Sequence, residues 1–385
     1  MSSVSKPVSL TFCNNRKTVS KASLFAIVKQ AAALQEIKIF IVGFNIHGMF
    51  VDAYTHVCSK RFLELLLQSG NGKVKKAGEV IAGLAGRWPH FVDLGKRLDD
   101  MDRYGVAWQV AGVHNRLDPN RFLLTPDEEI RLCRALNDGM AEIVEKTQER
   151  IVCLATPPLN SLEYGGVDEM RRAVKELGLK GFMVLTNIGG KPIDRFELFW
   201  KTAKELNAVV YIHPTDPYQT SCRSYEDEYD LSHVVGWPFE TTLILLRLVL
   251  SGMMENLDGI KIVAHHAGGM VPFFIGRIAE SYSPSMTFTR PDQISQVKGV
   301  EKIAEKIINS FYFDTAVGGN KHAVKCAYEV FGSSRMLFAT DYPYGPDGGI
   351  SRLAAYPSIL RELGIQADEL ESIMYRNAEE LFKQL

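Results

Sequence analysis

From residue 49 onward the apolar positions follow two alternating patterns. Short runs rich in Val, Ile, Phe and Ala begin at Met49 (MFVDAYTHV), Val106 (VAWQVAGV), Ile151 (IVCLATPP), Gly181 (GFMVLT), Val209 (VVYIHP), Lys261 (KIVAHH), Phe311 (FYFDTA) and Met336 (MLFATD). Between them lie longer stretches, among them VDEMRRAVKELG and RFELFWKTAKEL, whose apolar residues recur every three or four positions. Near-continuous apolar runs mark strands of a parallel sheet covered on both faces, and the longer spacing marks amphipathic helices. Eight such units predict an α/β fold, a (β/α)8 TIM barrel forming a single domain over residues 49–385. The runner-up, a doubly wound open sheet, would need a Gly-rich phosphate loop after an early strand, and the sequence has none. Long excursions are expected from Cys58 to Gly105 and from Thr215 to Pro238.

Residues 1–48 are different in character. They are rich in Ser and Lys, and no acid precedes Glu36. A transit peptide has this bias, but an unstructured extension, or a start assigned too early with Met49 as the true beginning, is the favoured expectation.

Composition narrows the partners. The chain has 385 residues, 46% hydrophobic and 23% charged, with a formal net charge of -1. That charge offers no electrostatic footprint for nucleic acid or an anionic membrane, so a small molecule is the expected partner. The six cysteines form no CxxC or other ligand spacing, which points to a reducing compartment, taken here as the cytoplasm. The apolar stretch from Ile37 to Phe44 is too short to cross a bilayer, and FETTLILLRLVLSGMM is interrupted by Glu240 and Arg247, so no membrane span is predicted.

Strand ends carry the candidate chemistry, because a barrel strand delivers its last residues to the catalytic mouth. VDAYTHV presents Asp52, Tyr54 and His56 at alternate positions, which in a regular strand share one face. The fifth run ends on His213, the sixth on His265 and His266, and the eighth on Asp341. Four of the nine histidines therefore end strands. A single such histidine is usually a structural residue, and that explanation is given to His47, His90, His114, His233 and His322, with His90 and His114 retained as pocket candidates. Jointly, His56, His213 and Asp341 offer the imidazole and carboxylate set of a divalent cation, zinc first and manganese second, with a coordination position left open.

These segments, in this order, resemble the amidohydrolase superfamily, specifically the branch of metal-dependent decarboxylases and hydrolases that includes aminocarboxymuconate-semialdehyde decarboxylase. VDAYTHV, ATPPL, LGLKGFMVLTNIGG, VVYIHPTD, GWPFETTLILLRLVLSGMM, KIVAHHAGGMVPFFIGRI, YFDTA and LFATDYPYG carry the likeness, which extends from Met49 to the C-terminus. The resemblance implies that His56, His213 and Asp341 are metal ligands, and that Asp341 also accepts a proton. It implies that His266 is the acid or base that assists the chemistry, leaving His265 as a structural neighbour. Arg277 matches an arginine that reaches across a dimer interface to the substrate carboxylate; its alternative is a surface ion pair.

One position departs from the family, which has His-x-His where this chain has Tyr54-Thr55-His56. A phenol with an ordinary pKa of about 10 is a poor zinc ligand. The metal survives on the other three residues, or Tyr54 ligates or hydrogen-bonds the substrate, or the metal is lost. The expected function is decarboxylation of a small unsaturated or aromatic carboxylic acid. Alternatives are metal-dependent hydrolysis of a lactone or amide and a metal-free, catalytically silent barrel used for binding. Arg97, Arg116, Arg223 and Arg277 are candidate carboxylate holders, since arginine binds that group bidentately. The apolar helix TTLILLRLVL either lies deep between barrel and loops or buries a second face in a homodimer.

Overall fold

The structure is a computed structural model that describes residues 49–113, 115–122, 124–216, 229–283 and 297–383. The N-terminal extension, His47, His114 and Arg223 lie outside the described residues. Eight strands appear among the described residues where the apolar runs predict them: β1 Phe50–His56, β2 Val106–Gly112, β3 Ile151–Cys153, β4 Gly181–Leu185, β5 Val209–His213, β6 Ile262–Ala264, β7 Tyr312–Asp314 and β8 Met336–Leu337. Each neighbouring pair is parallel, in one run β1-β2-β3 and another β4-β5-β6-β7-β8.

Two parallel bridges join the runs into a barrel, Ala155 to Phe182 and Thr55 to Tyr342. At the first seam the Ala155 amide donates to the Gly181 carbonyl (2.8 Å) and the Met183 amide to Ala155 (2.9 Å). At the second the Ala53 amide donates to Phe338 (2.8 Å), His56 to Tyr342 (2.7 Å) and Asp341 back to Tyr54 (3.1 Å). This second seam brings the ends of β1 and β8 together.

Packing forms two layers. Inside the barrel, Val51, Tyr54, Val110, Met183, Tyr211, Val263 and Leu337 fill the centre, with Leu381 and Phe382 of the C-terminal helix among them. A larger apolar shell, including Phe62, Leu136, Phe182, Trp200, Leu245 and Phe313, lies between sheet and helices. Helix Gly166–Lys175, for instance, buries Met170 and Ala173 on one side.

Where the sequence offered only a long excursion between β1 and β2, three helices form: Lys60–Leu67, Gly72–Arg87 and Leu94–Tyr104. Their start signals are local, since Ser59, Asn71 and Asp93 each accept a backbone amide at the first turn, as good N-caps do. A short antiparallel hairpin, Asn187–Ile188 with Lys191–Pro192, also goes beyond the expectation. Gly189 and Gly190, both with positive φ, make its turn, a sequence signal that was readable.

Helix Trp237–Leu250 continues directly from a wider turn over Ser232–Gly236. By length and mean hydropathy (1.3), Ser232–Leu250 would suffice to cross a membrane, with 39% buried inside the fold. Thr241, Ile244, Leu245, Leu248 and Val249 face inward. Arg247 binds Asp194 through two bonds of 2.9 and 2.7 Å.

Candidate active site

All seven residues of β1 are buried, but the strand is not regular. Its pairing with β2 shifts twice, between Phe50 and Val51 and between Asp52 and Thr55. The second shift places an extra residue in β1 and breaks the alternation that would have put Asp52, Tyr54 and His56 on one face. Asp52 instead accepts the Thr340 amide (2.9 Å), the Thr340 hydroxyl (2.6 Å) and the Gln109 amide (3.4 Å). Burial raises its carboxyl to about 7, while Thr340 and the Arg97 charge pull it back.

Arg97 belongs to this same cluster, which removes it from the candidate substrate holders. Its fully buried guanidinium donates to Gln109 Oε1 (2.7 Å), the His56 carbonyl (2.6 Å) and Thr55 Oγ1 (2.7 Å) and lies over the Tyr342 ring. A substrate carboxylate could reach it only by breaking these bonds.

Tyr54 and His56 meet on the other side. Tyr54 Oη is 2.8 Å from His56 Nε2, and that nitrogen is 3.4 Å from Asp341 Oδ1. The His213 ring stands 5.3 Å from the His56 ring. His213 Nδ1 is 2.5 Å from the Pro214 carbonyl; since a carbonyl only accepts, Nδ1 carries the proton and Nε2 keeps its lone pair. Burial, with the neighbouring imidazoles, holds His213 uncharged.

The sixth strand ends on two histidines with different tasks. His266 is partly exposed and has φ 55°, and Asp341 has φ 64°. Both lie in the left-handed region, which side chains other than glycine seldom enter. Following His266, Gly269 has φ 66°, and a Cβ there would come 2.3 Å from the Pro238 carbonyl, so glycine is required. Burial lowers His266, partly offset by Asp341 and Asp314.

His265 was expected to be a structural neighbour, yet it lies within the cluster. It is fully buried and stacks on Tyr54 at 3.5 Å between centroids, with the planes inclined by 25°. Its Nδ1 is 2.7 Å from Asp314 Oδ2. The other Asp314 oxygen accepts the amides of His266 and Ala316, each at 2.9 Å. Burial lifts Asp314 to about 6 and holds His265 uncharged.

Asp341 lies at the mouth. Burial would raise its carboxyl, but the hydrogen bond from His56 and the charges of His56, His266 and Arg352 hold it below the ordinary value. Arg352, absent from the sequence candidates, donates to Asp341 Oδ2 (3.4 Å) and the Thr340 carbonyl (3.2 Å). It arrives from helix Ile350–Arg361, where no motif marks it. Tyr344 closes the rim, its ring 5.3 Å from His56, 5.7 Å from Trp88 and 6.3 Å from Phe91.

His90 pairs with Asp100 at 3.0 Å; His233 pairs with Asp230 and is mostly exposed; His322 is exposed at the start of helix Lys321–Phe331. Arg116 is exposed, and its charge acts on Tyr344. Arg277 is exposed on helix Val271–Ser281, beside exposed Phe273 and Phe274.

Among the described residues, no three His, Cys, Asp or Glu side chains alone form a ready cation cage. The donor chemistry nevertheless fits a divalent ion: His213 Nε2 keeps a lone pair, Asp341 is ionised, and His56 Nε2 faces both Asp341 and the Tyr54 oxygen. Burial, with the Asp341 and Asp314 charges, keeps the Tyr54 phenol protonated well above its ordinary range.

The amidohydrolase family profile matches residues 52–384. The chain is 30% identical over 250 residues to 2-amino-3-carboxymuconate-6-semialdehyde decarboxylase of Dictyostelium discoideum, an alignment covering 64% of this chain and 66% of that one, just under two thirds of its length. Among solved structures, 5-carboxyvanillate decarboxylase from Sphingomonas paucimobilis matches with a TM-score of 0.73 and 22% identity, covering 87% of this chain and 99% of its own. Dihydroxybenzoic acid decarboxylase from Polaromonas sp. JS666, with bound manganese and the inhibitor 2-nitroresorcinol, matches with a TM-score of 0.68 and 22% identity, covering 87% and 97%. This chain belongs to the amidohydrolase family, and its fold is that family's barrel.

Proposed function

We propose that this chain is a metal-dependent decarboxylase of a small unsaturated or aromatic carboxylic acid. The observation that carries the proposal is the meeting of His56, His213 and Asp341 at one rim, with Nε2 of His56 3.4 Å from Asp341 and the His56 and His213 rings 5.3 Å apart. Relatives named as decarboxylases of such acids give that geometry its reaction class. His56, His213 and Asp341 would hold the cation, which supplies positive charge for substrate oxygens and for the charge left as carbon dioxide departs. Two imidazoles and a carboxylate suit zinc and manganese, and the manganese of the Polaromonas relative makes it the first ion to load.

The chain's own side chains manage position and protons. Replacing a carboxylate by hydrogen needs one proton delivered to the substrate carbon. A water molecule or an acidic hydroxyl of the substrate would supply that proton: Asp341, held ionised, would take it from that donor, and His266, whose charge acts on Asp341, would relay it to the carbon. Arg352 fixes the Asp341 carboxylate from behind. Trp88, Phe91 and Tyr344 offer an apolar wall to a planar substrate, and Arg116 at that wall is our candidate for binding its carboxylate.

A homodimer is part of the proposal. Phe273 is 79% exposed one helical turn before Arg277, and Val234 and Val235 are 60% and 51% exposed on the turn that leads into helix Trp237–Leu250. Apolar exposure of this kind suits a subunit contact. Light scattering showing only monomer would remove Arg277 from the site.

The test is to incubate manganese-loaded and zinc-loaded protein with a panel of carboxylic acids and lactones, following gas release and ring opening separately. Carbon dioxide release that disappears in His266→Ala and Asp341→Ala supports the proposal. Ring opening without gas release would make the protein a hydrolase.

A further inference from the structure

We propose that Asp314 is a positioning residue for His266: its buried carboxylate holds the left-handed turn from which the His266 ring is presented to the mouth. This rests on the reading of His266 as the group that relays a proton to the substrate carbon, and adds the residue that fixes its aim.

Four consecutive residues after β6 have positive φ: His266 at 55°, Ala267 at 53°, Gly268 at 71° and Gly269 at 66°. Glycine enters this region freely, whereas in other L residues the Cβ crowds the backbone. Gly268 and Gly269 therefore carry the second half of the turn at little cost. Neither position has room for a side chain, since a Cβ would come 2.9 Å from the Phe313 ring at Gly268 and 2.3 Å from the Pro238 carbonyl at Gly269. His266 and Ala267 bear the strain. Such a conformation persists only where its surroundings over-determine it. The turn's own bonds, from the Gly268 amide to the His265 carbonyl (3.2 Å) and from Gly269 to His266 (3.0 Å), close it on itself but do not tie it to the neighbouring strand.

Asp314 makes that tie. It ends β7, the strand paired with β6, and is fully buried. One carboxylate oxygen accepts the amides of His266 and Ala316, each at 2.9 Å, and the other lies 2.7 Å from Nδ1 of His265. The Ala267 amide bonds the same carboxyl. Asp314 thus grips the last residue before the turn by its side chain and the two strained residues by their backbone. His265 is fixed in turn, its ring stacked on Tyr54 at 3.5 Å. The His266 ring is left standing 5.9 Å from that of Tyr54, 6.2 Å from His213 and 6.1 Å from His265. With no exposed surface, Asp314 cannot touch a substrate itself. It acts through placement, and a misplacement of about 1 Å at a reacting group can cost about 100-fold in rate.

Steady-state kinetics of the manganese-loaded full chain, on whichever acid it turns over, and crystal structures of the variants test this. Asp314→Ala should lower kcat by about 100-fold, with KM and manganese affinity within a few fold of wild type, and its His266 should leave the left-handed region. Asp314→Asn should keep kcat within a few fold, because its amide oxygen still accepts both backbone amides. Its Nδ2 can donate to His265 Nδ1 once the ring proton moves to Nε2. In a His266→Ala background, Asp314→Ala should cost no more than a few fold further, since residues that act as one unit are not additive. Unchanged kcat in folded Asp314→Ala, an additive loss in the double variant, or a loss in Asp314→Asn equal to that in Asp314→Ala would each overturn the inference. If Asp314→Ala does not fold, Asp314→Ser, which keeps one acceptor, takes its place with a smaller loss in the same direction. The crystal structures decide the point even without turnover: His266 still near its wild-type φ in the Ala or Ser variant overturns the positioning role, whereas a wild type that releases no gas sinks only the decarboxylase reading.

Discussion

Strand β1 has a buried polar cluster on each of its two faces, and the two clusters differ in how completely their atoms are paired. On the helix side, Asp52, Gln109, Thr55, Thr340 and Arg97 satisfy one another, with the Arg97 donors spread over three acceptors at 2.6 to 2.7 Å. On the mouth side, Tyr54, His56, His213 and His265 face one another mostly ring to ring, and His265 Nε2 has no partner among the described residues. Burial is equal on both faces. A saturated cluster holds strands together, because breaking it leaves a buried charge uncompensated. An incompletely paired cluster in a closed barrel is costly to keep and suits a ligand.

Substitutions on the two faces should therefore separate activity from stability. The largest effect belongs to the mouth: Asp341→Asn or His266→Ala should lower kcat by about 10²- to 10⁴-fold while the melting transition moves little, as steady-state assay and calorimetry will show. Equal loss of stability would erase the distinction. On the helix side, Arg97→Met should cost ~3–5 kcal/mol in chemical denaturation, because Asp52 loses its counter-charge and the His56 carbonyl its donor. Any protein that remains folded should keep its metal. Gly269→Ala comes next, at an expected ~1–3 kcal/mol from left-handed strain and overpacking, measured by the same titration.

The smallest effect sharpens the meaning of saturation at a distant site. Asp118 is buried, accepts from the Asn120 amide (2.9 Å) and side chain (2.6 Å), and is raised by burial to about 6. Its folded value lies above its ordinary one, so the folded state binds the proton more tightly. The resulting stabilisation is complete below about pH 4 and is lost as pH rises through about 6. Asp118→Asn, which keeps the acceptor without the charge, should flatten that decline by ~1–3 kcal/mol between pH 4 and pH 7. Unchanged pH dependence in the variant would contradict it.

Much of this organisation is legible in the sequence, for physical reasons that also set the limits. Buried parallel strands must be short apolar runs, so all eight could be placed, and strand ends in a barrel converge, so His56, His213, His266 and Asp341 could be grouped. Register was not legible. A one-residue shift in β1 leaves composition unchanged but turns Asp52 toward Thr340 and away from Tyr54. Arg97 was one of four arginines that could have held substrate or lain solvated at the surface, and it does neither: its partners come from β1 and β2, known only once the chain is folded. His265 was set aside as a neighbour of the motif, since spacing alone says nothing of the Asp314 that orients it. Arg352 lies eleven residues beyond Asp341 in a helix with an ordinary pattern. The three helices within the first excursion were not predicted, although Ser59, Asn71 and Asp93 at their caps are local signals that could have placed them.

Anomalous diffraction from crystals grown with manganese tests the central claim most directly. One peak per chain within bonding distance of His56, His213 and Asp341, absent in crystals of His213→Ala, is the expected result. Fully manganese-saturated conditions that give no peak at that rim, with no gain in thermal stability on adding manganese or zinc, would contradict the claim and leave a barrel that binds without catalysing.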